Sequence, residues 1–186
     1  MTTANGQEAR VDEIRLNQWL DQEDRRVSEN IRRHGCSLEY VMPCVGDTDP
    51  TPFCYTIGLF GLGHPELIVF GLDQHSAAGF LNHMHGLIKA GRDLVPGEVL
   101  TFAGHDERYL VEEVPNPGDI IFGANRHYAR PSEFSVRAFQ LTWSVGDAFP
   151  WDEGYPYPPY RQPRPGTFSA RLEDGEDAGP CSCGSC

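Results

Sequence analysis

The sequence predicts an α+β fold: a mainly antiparallel sheet of about five or six strands, with an N-terminal helix and a central helix. Helical periodicity is confined to residues 8–33 and 74–90, whereas short alternating or wholly apolar segments fill most of the remaining body. Those segments are joined by short connections rich in turn residues. Such connections favour hairpins over the long crossovers of a doubly wound sheet.

The N-terminal segment, residues 8–33, is predicted to form an amphipathic surface helix. Its apolar residues recur at helical spacing on one stripe: Leu16, Leu20, Val27 and Ile31. Basic residues suit the negative end of the helix, and Gly35 suits the position after it.

The strands and the central helix follow from local patterns. Strand patterns occupy residues 36–45, 53–60, 66–71, 98–103, 108–114 and 135–145. The segment 66–71 is almost wholly apolar, which predicts burial on both faces. Asp73 is a favourable N-cap for the helix at 74–90. On that helix the apolar residues share one face, and His75, His83 and His85 fall off it. We therefore expect these histidines to be solvated or to lie at the rim of that face. A short helix is predicted within 119–128.

Three regions are predicted along the chain: a helix at 1–33, a single α+β domain at 34–155, and a Pro-rich acidic tail at 156–186. Prolines from Pro150 onward preclude regular structure, so the tail is interpreted as extended or disordered. Its aromatic residues can pin its first part to the body.

Composition narrows the class of function. The chain has 186 residues and a formal charge of −12 without a basic stripe, which argues against nucleic-acid binding. No signal pattern and no apolar run of about 20 residues is present, so no membrane association is expected. The expectation is a cytoplasmic protein whose partner is another protein or a small molecule.

Three segments carry a family resemblance: YTIGL at 55–59, GHPELIVFGL at 63–72 and FPWDEGY at 149–155. Together they resemble an uncharacterised bacterial family catalogued as domain of unknown function 4262. The resemblance covers roughly residues 34–155. It implies no catalytic residues, because none is established in that family.

The C-terminal sequence GPCSCGSC is a separate chemical signal. It is similar to the opening of the zinc-binding motif that ends the SecA translocation ATPase, although the closing ligand pair is missing here. Cys181, Cys183 and Cys186 can all reach one soft cation, with zinc or copper(I) preferred by thiolates. A fourth ligand would come from the body, from a second chain or from the terminal carboxylate. The alternative is a redox-exposed segment without a resident metal.

Candidate site residues lie in and after the family motif. Those suited to act as a general base or metal ligand are His64, Glu66, His105 and His127. Tyr55 and Gly58 are candidates for ligand binding, since a glycine inside a strand indicates a bulge or a close backbone approach. For Tyr55 and its neighbour Thr56, core packing is the alternative, with one hydroxyl satisfied by the backbone. The three histidine regions form a site only if the fold brings them together. Arg126 and Arg130, on either side of His127, suit a carboxylate or phosphate.

Two functional hypotheses remain. The first is a ligand-, partner- or metal-binding protein that is not a stand-alone enzyme and that carries a soft-metal thiol tail. The second is an enzyme whose histidines and Glu66 gather around Tyr55, with a metal or a flavin as cofactor. The remaining cysteines, Cys36, Cys44 and Cys54, are interpreted as buried thiols, because no activating base is evident.

Overall fold

The computed structural model describes residues 4–43 and 51–170, and the strands in those ranges form one six-stranded sheet. The strands are β1 (Ser37–Val41), β2 (Phe53–Ile57), β3 (Glu66–Phe70), β4 (Val99–Thr101), β5 (Arg108–Glu113) and β6 (Ala138–Trp143). The helices are α1 (Ala4–His34), α2 (Gln74–Lys89) and α3 (Phe122–His127). Short 3₁₀ turns cover Phe60–Leu62, Pro117–Asp119, Ser132–Phe134 and Pro159–Arg161.

The sheet order is β1-β2-β3-β6-β5-β4. Strands β3 and β6 pair in parallel, with Glu66 opposite Ala138. Every other pairing in the described sheet is antiparallel. The predicted α+β class, with its mainly antiparallel sheet, N-terminal helix and central helix, is therefore confirmed.

Both faces of the sheet are covered. Helix α2 packs Ala77, Leu81 and Met84 on one face, against residues such as Leu67 and Leu141. Helices α1 and α3 cover the other face, where Val27 and Ala124 join a cluster with Ile68 and Phe70. All five residues of β3 are buried, which confirms the predicted two-sided burial of this apolar segment.

Helix α2 begins as its sequence predicts. The Asp73 carboxylate accepts hydrogen bonds from the backbone N–H groups of His75 and Ser76, at 3.0 and 3.1 Å. The expectation that His85 is solvated or lies at the rim of the helix was wrong, because His85 is buried. Gly35, just after the end of α1, packs against the His85 ring, which a helical projection of α2 alone cannot show. Burial and the charge of Lys89 lower the pKa of His85.

Among the α1 side chains that the structure describes, those that pack closely on the body lie in the second half of the helix. Val27 is buried and Ile31 is partly buried against the sheet, as the predicted stripe requires. Farther towards the N-terminus, Leu16 and Trp19 are 55% and 54% exposed.

None of the helices in the described ranges is long and apolar enough to cross a bilayer.

Packing continues beyond the predicted domain end at residue 155. Residues 156–170, here called the strap, cross the sheet face that α1 and α3 also cover. Gln162 is buried and exchanges hydrogen bonds with both backbone groups of Trp143. Phe168 packs its ring against Phe53 and Phe70, with centroids 5.4 and 5.0 Å away. Prolines prevent strand pairing here, but they do not prevent side-chain burial. Residues 171–186, with the three C-terminal cysteines, and 44–50, with Cys44, lie outside the described residues.

Candidate functional site

Glu66, a candidate acid or base, is fully buried at the start of β3. Its Oε1 accepts hydrogen bonds from the backbone N–H groups of Gly58 and Phe60, at 2.9 and 3.1 Å. Its Oε2 accepts from the Leu59 N–H at 3.3 Å and from the Thr56 hydroxyl at 2.6 Å. The carboxylate therefore holds the turn at residues 58–60, here called the motif turn, from the interior of the protein.

The Thr56 hydroxyl completes this arrangement. It accepts a hydrogen bond from the Leu67 N–H at 2.8 Å, so its own proton is directed to Glu66. All four groups around the Glu66 carboxylate are donors, which suits an ionised, acceptor-only group. Burial raises the pKa of Glu66, and the four hydrogen bonds oppose that rise. A carboxylate engaged on every side cannot act as a free base.

Gly58 has a φ of +140°, in the region that favours glycine. A Cβ at this position would lie 2.8 Å from the Gly35 carbonyl oxygen and 3.0 Å from the Cys36 Cα. The close backbone approach expected at Gly58 is thus made by the protein's own chain, where β1 begins.

His64 is also buried, with both ring nitrogens engaged. Its Nδ1 lies 2.6 Å from the Pro65 carbonyl oxygen, and its Nε2 accepts from the Leu94 N–H at 3.3 Å. This geometry requires the tautomer with the proton on Nδ1. His64 therefore fixes the loop that contains Leu94, and its ring edge packs against Phe139.

Tyr55 is buried and belongs to a second polar cluster, under α1 and α3. Its hydroxyl accepts from the Gly123 N–H at 3.0 Å and donates to Glu39. A Cβ on Gly123 would lie 2.8 Å from that hydroxyl, so the helix approaches this closely only with glycine there. Burial raises the pKa of Glu39, while Tyr55 and the positive charge of Arg126 oppose the rise.

Arg126 links this cluster to the N-terminal helix. Its Nε donates to the Asp24 carboxylate at 2.6 Å. Sequence reasoning missed Glu39, Asp24 and Gly123, because alternation along β1 gives no sign that a helix far away in sequence covers that face. Arg126 was expected to suit an added carboxylate or phosphate, but it is already paired within the chain.

The remaining candidates, His105 and His127, lie at opposite ends of the sheet. His105 lies in the exposed hairpin between β4 and β5, at the end where β3 and β6 finish. His127 ends α3, at the end where β3 and β6 begin, and its ring contacts Tyr128. His64, His105 and His127 therefore do not converge. Within the described ranges, no group of three or more His, Cys, Asp or Glu residues is arranged to hold a metal ion.

This fold and these contacts define an α+β domain whose central turn is held by a buried carboxylate. The chain belongs to the family described as Domain of unknown function (DUF4262), whose model matches residues 30–156, more than half of the chain. This confirms the resemblance carried by the three sequence segments. No curated protein and no solved structure matches the chain.

The Glu66→Gln substitution should destabilise the protein by roughly 2–4 kcal/mol, although the side chains have the same shape. The amide NH₂ would face N–H or O–H donors where the carboxylate oxygen now accepts hydrogen bonds. Urea unfolding checks this. The exposed Glu107→Gln is the matched control, expected within about 0.5 kcal/mol of wild type. Equal stability of the two variants would contradict the structural role of Glu66.

The Glu39→Gln substitution should change how stability depends on pH. Because burial raises the native pKa of Glu39, the native state holds this proton more tightly than the unfolded chain does. Its contribution is fully present below the usual Glu pKa of about 4.3 and is lost as the pH rises through the native pKa. Glutamine cannot titrate, so the stability of the variant relative to wild type should increase from pH 4 to neutral pH.

Unfolding free energies measured across that pH range, with the exposed Glu133→Gln as control, test the sign. A difference between Glu39→Gln and wild type that is flat, or that decreases with pH, is incompatible with a raised native pKa.

Proposed function

We propose that this protein is a binding protein whose folded body is a rigid scaffold and whose three C-terminal cysteines bind a soft metal ion, zinc or copper(I). The observation that carries the proposal is the state of the cysteines in the body. Cys36 and Cys54 are buried free thiols, and burial raises the pKa of each to about 12.

Metal ligation needs the thiolate. With a pKa of about 12, only about one thiol in 10⁵ is ionised at neutral pH. Cys36 and Cys54 are thus poor ligands. Of the other cysteines, Cys44 stands alone in sequence, whereas Cys181, Cys183 and Cys186 lie close enough together to bind one soft ion. Gly184 permits the chain to wrap closely around one ion. The fourth ligand is supplied by the body or by a second chain.

Binding is favoured over catalysis by the way the body uses its polar groups. Glu66, His64 and Tyr55 are each engaged in hydrogen bonds that hold the fold. The enzyme alternative would then depend on His105 and His127, which lie at opposite ends of the sheet.

The proposal implies a compartment and a class of partner. Three thiols within six residues remain metal ligands only where thiols stay reduced, which fits the cytoplasm. The formal charge of −12 favours a protein or small-molecule partner over nucleic acid.

Elemental analysis of the full chain, purified under reducing conditions and equilibrated with zinc or copper(I), tests this function. We expect about one ion per chain. The Cys181→Ser/Cys183→Ser/Cys186→Ser variant should lose it, and the matched Ser182→Ala/Ser185→Ala variant should keep it. A wild-type chain that holds neither metal, or a triple variant that holds as much as wild type, would refute the metal site.

A further inference from the structure

An exposed aromatic surface lies at the end of the sheet where β3 and β6 begin. It consists of Phe60, Tyr128, Arg130 and Phe134, here called the end surface. The rings of Phe60 and Tyr128 are in edge contact, with centroids 4.8 Å apart. The Arg130 guanidinium lies 5.9 Å over the Phe60 ring, and its Nε donates to the Phe134 carbonyl at 2.9 Å. Phe60 and Phe134 are 40% and 69% exposed, so both rings are in contact with solvent on either side of Arg130.

The end surface is rigid from below. Glu66 holds the backbone N–H of Phe60 from the interior, and the Gly61 N–H donates to the Tyr128 hydroxyl. A ligand that binds here therefore meets a preformed surface and loses little free energy to ordering it.

The end surface carries the positive charge of Arg130, whereas the chain as a whole has a formal charge of −12. Arg126 pairs with Asp24 and Arg137 pairs with Glu113. Arg130 has no such ion pair: among the side chains that the structure describes, no carboxylate lies within ion-pair distance of it. Its guanidinium N–H groups other than Nε are available for a bidentate carboxylate contact beside an aromatic ring.

The strap leads the chain to this surface. The strap runs along β6, starting at Gln162 beside Trp143. Farther on, Arg164 forms an ion pair with Glu112. Near the end of the strap, the Asn116 side chain donates to the Phe168 carbonyl. At its end the Ala170 N–H donates to the Asp119 carbonyl at 2.8 Å.

That end point adjoins the end surface. Gly118, the neighbour of Asp119, is in close backbone contact with Ser132, two residues from both Arg130 and Phe134. The described chain thus stops beside the turn that carries the exposed Phe134.

The residues that follow have the complementary charge. The sequence RLEDGED at 171–177 contains four acidic residues, one arginine and one leucine. Seven residues span at most about 25 Å, which is enough to cross a surface of four side chains. A segment tethered this close has an effective concentration in the millimolar range, above that of a typical free partner.

From this placement we infer that the acidic segment 171–177 of the same chain binds over the end surface, with its carboxylates on Arg130 and Leu172 against the aromatic rings. The segment then occupies the site where an acidic partner peptide would otherwise bind. The inference depends on the described body and the charge of the segment, and it does not require the metal site.

A paramagnetic label on the full chain tests this inference. The variant Cys44→Ser/Cys183→Ser/Cys186→Ser leaves Cys181 for a nitroxide, because Cys36 and Cys54 are buried thiols. We expect the amide signals of Phe60, Tyr128 and Phe134 to lose most of their intensity. The signal of Asp106, at the opposite end of the sheet, should keep its intensity.

Two variants give the test its specificity. Replacing Glu173, Asp174, Glu176 and Asp177 by their amides should restore the signals without any change to the body. Arg130→Gln should restore them too, whereas Arg25→Gln, an exposed arginine on α1, should not. Unbroadened signals, or broadening that survives the tail neutralisation, would overturn the inference. Broadening between labelled and unlabelled chains in a mixed sample would also overturn it, because the occupant would then be a second copy.

Discussion

The buried carboxylate of Glu66 is the interaction on which the centre of this fold depends. Removing a carboxylate from water costs several kcal/mol unless hydrogen bonds replace its hydration. Here four donors do so, and three of them are backbone N–H groups of the motif turn. The same bonds satisfy three N–H groups of a turn that cannot pair in the sheet.

This interaction gives a physical reason for several residues of the family motif. Thr56 directs its proton to the carboxylate and receives the Leu67 N–H. Gly58 permits the backbone to pass against Gly35 and Cys36. Glu66 itself starts the central strand, which pairs with β2 on one side and β6 on the other. The motif therefore specifies a structure: its polar groups hold the turn and the start of the central strand.

Much of the fold could be predicted because its signals are local. The Asp73 cap, the periodicity of α2 and the apolar run of β3 each follow from residues close together in sequence. The surroundings of His85 and Glu39 could not be predicted from local patterns. The His85 ring packs against Gly35, and Glu39 lies against Gly123 of α3, and both of these contacts are distant in sequence. The strap was predicted only in part. Its aromatic residues were expected to pin its first part to the body, but the burial of Gln162 and the packing of Phe168 were not expected. Prolines prevent the strap from pairing with the sheet as a strand. The Gln162 side chain nevertheless hydrogen-bonds to the backbone N–H and C=O of Trp143.

The candidate site could be predicted even less completely than the fold from local sequence patterns. Sequence identified Glu66, His64, Tyr55 and Gly58 as residues that simple packing did not explain. It could not show that their partners are backbone groups of the protein itself, because hydrogen-bond saturation is a property of the folded turn. As a result, the polar groups of the motif are engaged in holding the fold.

Amide hydrogen exchange at Gly58 and Phe60 measures whether the Glu66 carboxylate holds the motif turn in the native state. If the Glu66 carboxylate holds the motif turn, these two amides should exchange only through global unfolding, although they lie outside the strand ladder. The Asp106 amide, in the exposed hairpin between β4 and β5, is the internal reference for rapid local exchange. Exchange at Gly58 and Phe60 as fast as at Asp106 would contradict the account.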